Sequence, residues 1–285
     1  MALWNLKPRK KPLTKPLKSL PPPRKPPIER PRPTPKPRPE PKPRPTKKPE
    51  KAYDPRKEFL DIFGRFSHSR GRTEIWRDFI VMAACSISNS VDKSHFDERE
   101  AMYMSIIKKY PKMEQEFFPR LFACVVMALE RNPNQDFLGE LFMTLGLSNS
   151  NAGQFFTPYH VCELMAKVTM EDLSEQVEKK GYVTLNDPCC GAGATLIAGI
   201  NEARDILVKE NLNFQNHVLI IAQDIDAVVA MMCYIQISLL GVAGFVKVGN
   251  SITKPIAEGD TFENYWFTPM YFSDVWTLRR IFRKL

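Results

Sequence analysis

The sequence predicts an α/β protein, a doubly wound and mainly parallel sheet preceded by a helical region and a basic, Pro-rich tail. Three observations predict it. Short apolar runs alternate with amphipathic stretches from Tyr182 to Val248; apolar residues recur at helical spacing from Pro55 to Arg131; and prolines and cations dominate the first fifty residues. The expected divisions are residues 1–52 for the tail, 53–133 for the helical region and 134–285 for the α/β domain. A chain of 285 residues has room for one sizeable core and an accessory segment.

In the tail, Met1–Glu50 holds 17 of the 25 prolines. Pro at every second or third position removes backbone donors and fixes φ, which excludes helix and sheet and favours an extended, unfolded chain. The same stretch carries 16 Lys and Arg against three Glu, a net of +13, so the rest of the chain holds −4 of the total of +9. Interspersed cations on an extended chain attract phosphate without reading sequence. A solubilising linker and a PxxP ligand for a partner are the other readings of this segment.

In the helical region Ile75, Phe79, Met82 and Ala83 form one apolar face, Met102, Ile106 and Ile107 a second, and Leu121, Val125 and Leu129 a third. Pro111, Pro119 and Pro133 punctuate them, giving three or four helices. Thr157-Pro158 then reads as a helix start, with the hydroxyl as N-cap and Pro at the first helical position. Tyr182–Leu185 is a strand, Asn186–Gly193 a loop and Ala194–Lys209 a helix. Val218–Ala222 is a buried strand, Ala227–Leu240 the next helix and Phe245–Val248 a further strand.

The chemistry sits in the loops after the strands. Asp187-Pro188-Cys189-Cys190-Gly191-Ala192-Gly193 joins strand to helix, and its glycines let backbone approach a ligand at the carboxyl end of the sheet. Leu196 stands where a dinucleotide fingerprint needs a third Gly, which argues against NAD or FAD. Asp224 or Asp226, after the second strand, offers a carboxylate for ribose hydroxyls, or caps the following helix. Gly249-Asn250-Ser251, after the third, is either a plain turn or the source of an amide for an adenine edge.

No run approaches the roughly twenty apolar residues of a membrane span, and the six Cys form no CxxC pair and no ligand spacing with the four His. No metal site, no disulfide framework and a reducing cytoplasm are expected. His160 and Cys162 read as helix-face residues, with no second ligand at the right spacing.

These segments resemble the modification (methylase) subunits of type I restriction systems and related adenine-specific DNA methyltransferases. DFLGELFMTLGL at Asp136–Leu147 is similar to the family's lead-in helix and GQFFTP at Gly153–Pro158 to its opening motif. NDPCCGAGATLIAG, AQDID and LLGVAGFVKVGNSI follow in the family's order. The resemblance implies a Rossmann-like S-adenosylmethionine-dependent methyltransferase fold, transfer of a methyl group to the N6 amino group of adenine in DNA, and a specificity or other restriction-modification subunit as partner. It implies that Phe155, Phe156, Thr157 and Pro158 embrace the methionine end of S-adenosylmethionine. Asp187, Pro188, Gly191 and Gly193 would line the centre of the cofactor, Asp224 would take its ribose and Asn250 its adenine.

One family feature is missing. Members carry Asn or Asp, two prolines and an aromatic after a fourth strand, to grip the target amino group and stack on a flipped base. Here Phe267-Thr268-Pro269-Met270-Tyr271 stands at that distance, making Thr268, Pro269 and Tyr271 the candidates for a degenerate catalytic loop. The chain reaches Leu285 without the later strands or a recognisable target-recognition domain. A cofactor-binding protein without transferase activity, acting as a sensor or scaffold, is the alternative reading.

Overall fold

A computed structural model describes residues 53–67, 69–147 and 156–282. The expected tail, residues 1–52, and Phe155 lie outside the described residues.

The described residues begin with helices because their apolar residues repeat at the helical period and the first helix has its cap in place. Asp54 accepts hydrogen bonds from the Arg56 and Lys57 N–H groups and Pro55 opens α1 (Pro55–Phe63). There follow α2 (Arg72–Asn89), α3 (Phe96–Ile107), α4 (Lys112–Gln115) and α5 (Phe117–Arg131). The region thus has five helices among the described residues, because α1 and α4 are too short to show a period. The three expected faces point inward: Phe79, Ile106 and Leu121 are all buried.

After α6 (Phe137–Thr144) comes α7 (Tyr159–Thr169). Its start corrects the expected cap. Pro158 is the N-cap, with ψ 133°, and no side chain caps the helix. A residue before Pro is pushed toward extended backbone, and here the extended geometry runs through Pro158 as well. Then α8 (Leu173–Lys180), β1 (Val183–Asp187), α9 (Ala194–Lys209), β2 (Val218–Asp224), α10 (Ala227–Leu239), β3 (Ala243–Val248), β4 (Tyr265–Phe267) and α11 (Asp274–Ile281) complete the described chain.

The four strands lie in the order β1-β2-β3-β4, the first three parallel and β4 antiparallel to β3. This is a mixed α/β fold with a mostly parallel sheet. Among the described residues the strand order never reverses, so these strands do not form the switch point of a doubly wound sheet.

Register puts Ile220, Val246 and Trp266 on one face, in one apolar core with α9, α10 and the N-terminal helices. The buried Arg99 fastens α3 to β4. Its guanidinium lies 4.1 Å from the Trp266 ring centre, pairs with Asp92 at 2.9 Å and donates to the Tyr265 carbonyl. On the other face Leu219 and Ala243 pack against Trp276 of α11.

β4 and the turn after it form a latch. The Thr268 hydroxyl donates to the Val242 carbonyl at 2.8 Å and accepts from the Gly244 N–H at 3.0 Å, fully buried. Thr268→Val removes both bonds and leaves the Gly244 N–H buried without a partner. The expected loss is about 1–3 kcal/mol of stability, read as a lower urea midpoint with an unchanged slope. A midpoint equal to wild type contradicts this role.

Candidate functional site

The carboxyl ends of β1, β2 and β3 deliver three loops to one rim, and hydrogen bonds tie them together. Asp187 ends β1; its carboxylate accepts from the Cys189 N–H at 3.0 Å and from the Thr195 hydroxyl, holding the loop against the first turn of α9. The Cys190 N–H donates to the Gln223 carbonyl at 3.0 Å, and the Gly191 N–H donates to the Asp224 carboxylate at 2.8 Å. The second loop reaches the third in the same way, through Gly249 N–H to the Asp224 carbonyl at 2.8 Å. The Gln223 amide adds bonds to the Gly249 and Lys254 carbonyls.

Two glycines make the first loop possible. Gly191 has φ 55° and Gly193 φ 99°, left-handed values that suit Gly. A Cβ at Gly193 would also lie 2.8 Å from the Cys233 sulfur, so the loop packs on α10 only because none is there. Phe156 lies over Gly191 and packs on Phe142 at 5.7 Å between ring centres.

Beneath the loop runs a polar network that sequence reasoning did not find. The buried Asp136 carboxylate caps α6 through the Gly139 N–H at 2.9 Å and accepts from the Gln236 amide at 2.8 Å. Gln236 also donates to the Ala192 carbonyl at 3.0 Å and accepts from the Leu138 N–H at 3.1 Å. Burial holds the Asp136 carboxyl above the usual carboxylate range, against the opposing hydrogen bonds from Gln236 and Gly139. The one signal in the sequence is a lone amide in the apolar run AVVAMMCYIQISL.

The third loop is pinned from below. Lys247 reaches the Pro255 carbonyl at 2.9 Å and the Asp260 carboxylate at 2.5 Å. Hydrogen bonds from Lys247 and Tyr265 hold the Asp260 carboxyl at about 2.

The rim gathers most of the expected residues. Phe156, Thr157, Asp187 and Gly191 line a cavity of about 90 Å³, together with Asp136 and Thr195. Pro188 is exposed in the turn after β1, and Pro158 is exposed at the start of α7. Each Asp224 oxygen accepts one N–H, from Gly191 or from Asp226, and so keeps a lone pair. Asp226 caps α10 through the Val228 and Val229 N–H groups, the structural role expected for one of the two acids. The Asn250 carbonyl oxygen is engaged by the Ile252 and Thr253 N–H groups, leaving its NH₂ as the group on offer. A hydrogen bond with Cys233, and burial after it, push the Cys190 thiol up, away from the thiolate a nucleophile needs. Among the described residues no group of side chains is arranged to hold a metal, and no helix is long and apolar enough to cross a membrane.

Thr268, Pro269 and Tyr271 are not brought to this rim. Because β4 runs antiparallel to β3, Phe267 pairs with Phe245 and Thr268 meets Gly244, at the amino end of the parallel strands. Gly249 is five residues further along, about 16 Å at roughly 3.3 Å per residue. Tyr271 instead stacks on Phe267 at 4.8 Å and under Arg280 at 4.0 Å. The residues expected to form a catalytic loop thus lie at the far end of the sheet from the three strand-tip loops.

The mostly parallel sheet thus brings a Gly loop, an acid and an amide to one rim, at the carboxyl end of the strands where open α/β sheets bind their ligands. The family model for N-6 DNA methylases matches residues 137–283, and the chain belongs to that family. Membership places it among proteins that methylate adenine at N6 in DNA. No curated protein and no solved structure matches the chain.

Gly191→Val strains the loop and fills the approach under Phe156. It is expected to eliminate binding of the nucleoside cofactor while leaving the far-ultraviolet circular dichroism unchanged. Normal affinity by titration calorimetry contradicts the site.

Proposed function

We propose that this chain is the cofactor-holding part of an adenine-specific DNA methyltransferase of the restriction-modification type, with a Rossmann-like fold and S-adenosylmethionine as its cofactor. The observation that carries the reading is the Asp224 carboxylate, tied to Gly191 yet with a lone pair left on each oxygen.

The residues suit the parts of that molecule. Asp224 accepts from the ribose hydroxyls and the Asn250 NH₂ donates to a ring nitrogen of the adenine. Phe156 offers an apolar wall, and the uncapped start of α9 at Gly193 favours a carboxylate. The 90 Å³ cavity is smaller than the 300 Å³ or more of an ordinary ligand pocket. It suits the methionine end, with the nucleoside on the open rim. When bound, S-adenosylmethionine supplies an electrophilic methyl group, and the protein's task is to hold it in line with an amino nitrogen and to accept that nitrogen's protons.

The first of these tasks has residues on the rim, whereas Thr268, the residue expected for the second, is buried at the opposite end. The same observation favours a second reading, a sensor or scaffold that binds the cofactor and transfers nothing. DNA is the substrate in the first reading, a specificity subunit supplies the target sequence, and the +13 stretch adds salt-dependent attraction to phosphate.

Full-length protein is expected to bind radiolabelled S-adenosylmethionine, to leave DNA unlabelled when alone, and to label N6 of adenine once partner subunits are added. Cofactor binding with no label in DNA under any of these conditions fails the enzyme reading and leaves the second. Absence of cofactor binding fails both.

A further inference from the structure

Two turns of the helical region, one between α1 and α2 and the other between α3 and α4, are fastened side by side. Arg70 of the first donates to the Lys109 carbonyl of the second, with its guanidinium 4.5 Å from the Tyr110 ring centre. The Ser67 N–H donates to the Glu114 carboxylate at 2.9 Å, and the Phe66 ring packs on Tyr110, Phe117 and Phe118. Around this junction stand Arg65, Arg72, Lys108, Lys109 and Lys112. All five are exposed, and among the described residues none of them makes an ion pair. Residues 64–74 and 108–116 together hold six cations against three acids, a net of +3, in a chain whose residues after Glu50 sum to −4. Two of the three acids are engaged, Glu74 with Arg70 at 3.5 Å and the buried Glu114 with Ser67. Like charges gathered without partners repel one another, so such a surface is stabilised by meeting an anion.

The position of the cluster indicates which anion. Arg72 and Trp76 lie four residues apart on one face of α2, separated by one helical turn of about 5.4 Å. The Trp76 ring packs on Phe142 at 5.8 Å between centres and Phe142 on Phe156 at 5.7 Å, and Phe156 lies over Gly191 at the rim. The cluster therefore begins roughly 20 Å from the cofactor loop, a span of about six base pairs at about 3.4 Å each.

We propose that this cluster holds the phosphate backbone of duplex DNA beside the adenine presented to the rim. The proposal rests on the methyltransferase reading and deepens it, because it says where the substrate lies. A duplex carries one negative charge per about 1.7 Å of its axis, so cations spread over two turns meet several phosphates at once. Contacts of this kind position the duplex and read no sequence. An acidic protein is the poorer fit. Protein interfaces centre on apolar or aromatic anchors with charges at the margin, and among the described residues of these two turns Met113 is the one large apolar side chain exposed.

The test uses the full-length protein, with the basic tail present throughout, and a fluorescein-labelled duplex of about twenty base pairs. Arg72→Gln with Lys109→Gln removes two cations of the cluster. Lys180→Gln with Lys209→Gln removes two exposed cations at the C-terminal ends of α8 and α9, away from the rim, for the same change in net charge. Fluorescence anisotropy at about 0.1 M salt is expected to show DNA binding about tenfold weaker in the first pair. The slope of log K against log salt falls there by about 2, and the second pair keeps wild-type values. Affinity for S-adenosylmethionine is expected to match wild type in both. No DNA binding by the wild-type protein, DNA affinity and slope unchanged in the first pair, or equal loss in both pairs overturns the proposal. So does loss of polyglutamate binding in place of DNA binding, which assigns the cluster to an acidic polypeptide. If the first pair loses DNA as expected but wild-type protein fails to bind S-adenosylmethionine, the underlying functional reading falls instead.

Discussion

The hydrogen bond from the Gly191 N–H to the Asp224 carboxylate is the constraint on which the site depends. It joins the loop after β1 to the tip of β2, and the Asp224 carbonyl passes the connection to Gly249 after β3. A charged acceptor makes this bond stronger than a neutral one, and its position on the rim keeps it partly hydrated. The bond forms only because Gly191 takes a left-handed conformation that turns its N–H toward β2. Three loops from three strands thereby behave as one surface.

What supports that surface lies beneath it. Asp136, Gln236 and the Ala192 carbonyl form a buried chain of hydrogen bonds that fixes α6, α10 and the Gly loop to one another. A buried polar group is costly unless satisfied, and here one carboxylate oxygen takes two donors and the Gln amide serves both α6 and the loop. The helical region is therefore part of the same mechanical unit as the sheet, and Arg99 on Trp266 repeats the fastening at the other end of the fold. Family membership covers residues 137–283, whereas the core continues back to Phe59.

Much of this was legible in the sequence. The helix over Ala194–Lys209 has the bounds its amphipathic pattern predicts, because Gly193 starts it with a positive φ and the polar run after Lys209 stops it. Asp187, Gly191, Asp224 and Asn250 share a rim because strand tips in a parallel sheet all emerge at one end. β2 runs two residues past Ala222 because pairing with β3 continues through Gln223 and Asp224 despite their polarity. Thr268 lies away from the rim, which its spacing in the sequence does not reveal. Distance along the chain says nothing about strand direction, and a three-residue strand gives too little pattern to reveal that it runs backward. Gln236 escaped notice because its role depends on a partner a hundred residues away.

The most direct measurement is a crystal structure of the chain grown with S-adenosylmethionine. The ribose hydroxyls are expected on the Asp224 carboxylate, the adenine within reach of the Asn250 NH₂ and the methionine end between Phe156 and the Gly loop. A nucleoside lying away from Asp224, or bound at the Thr268 end of the sheet, contradicts the account.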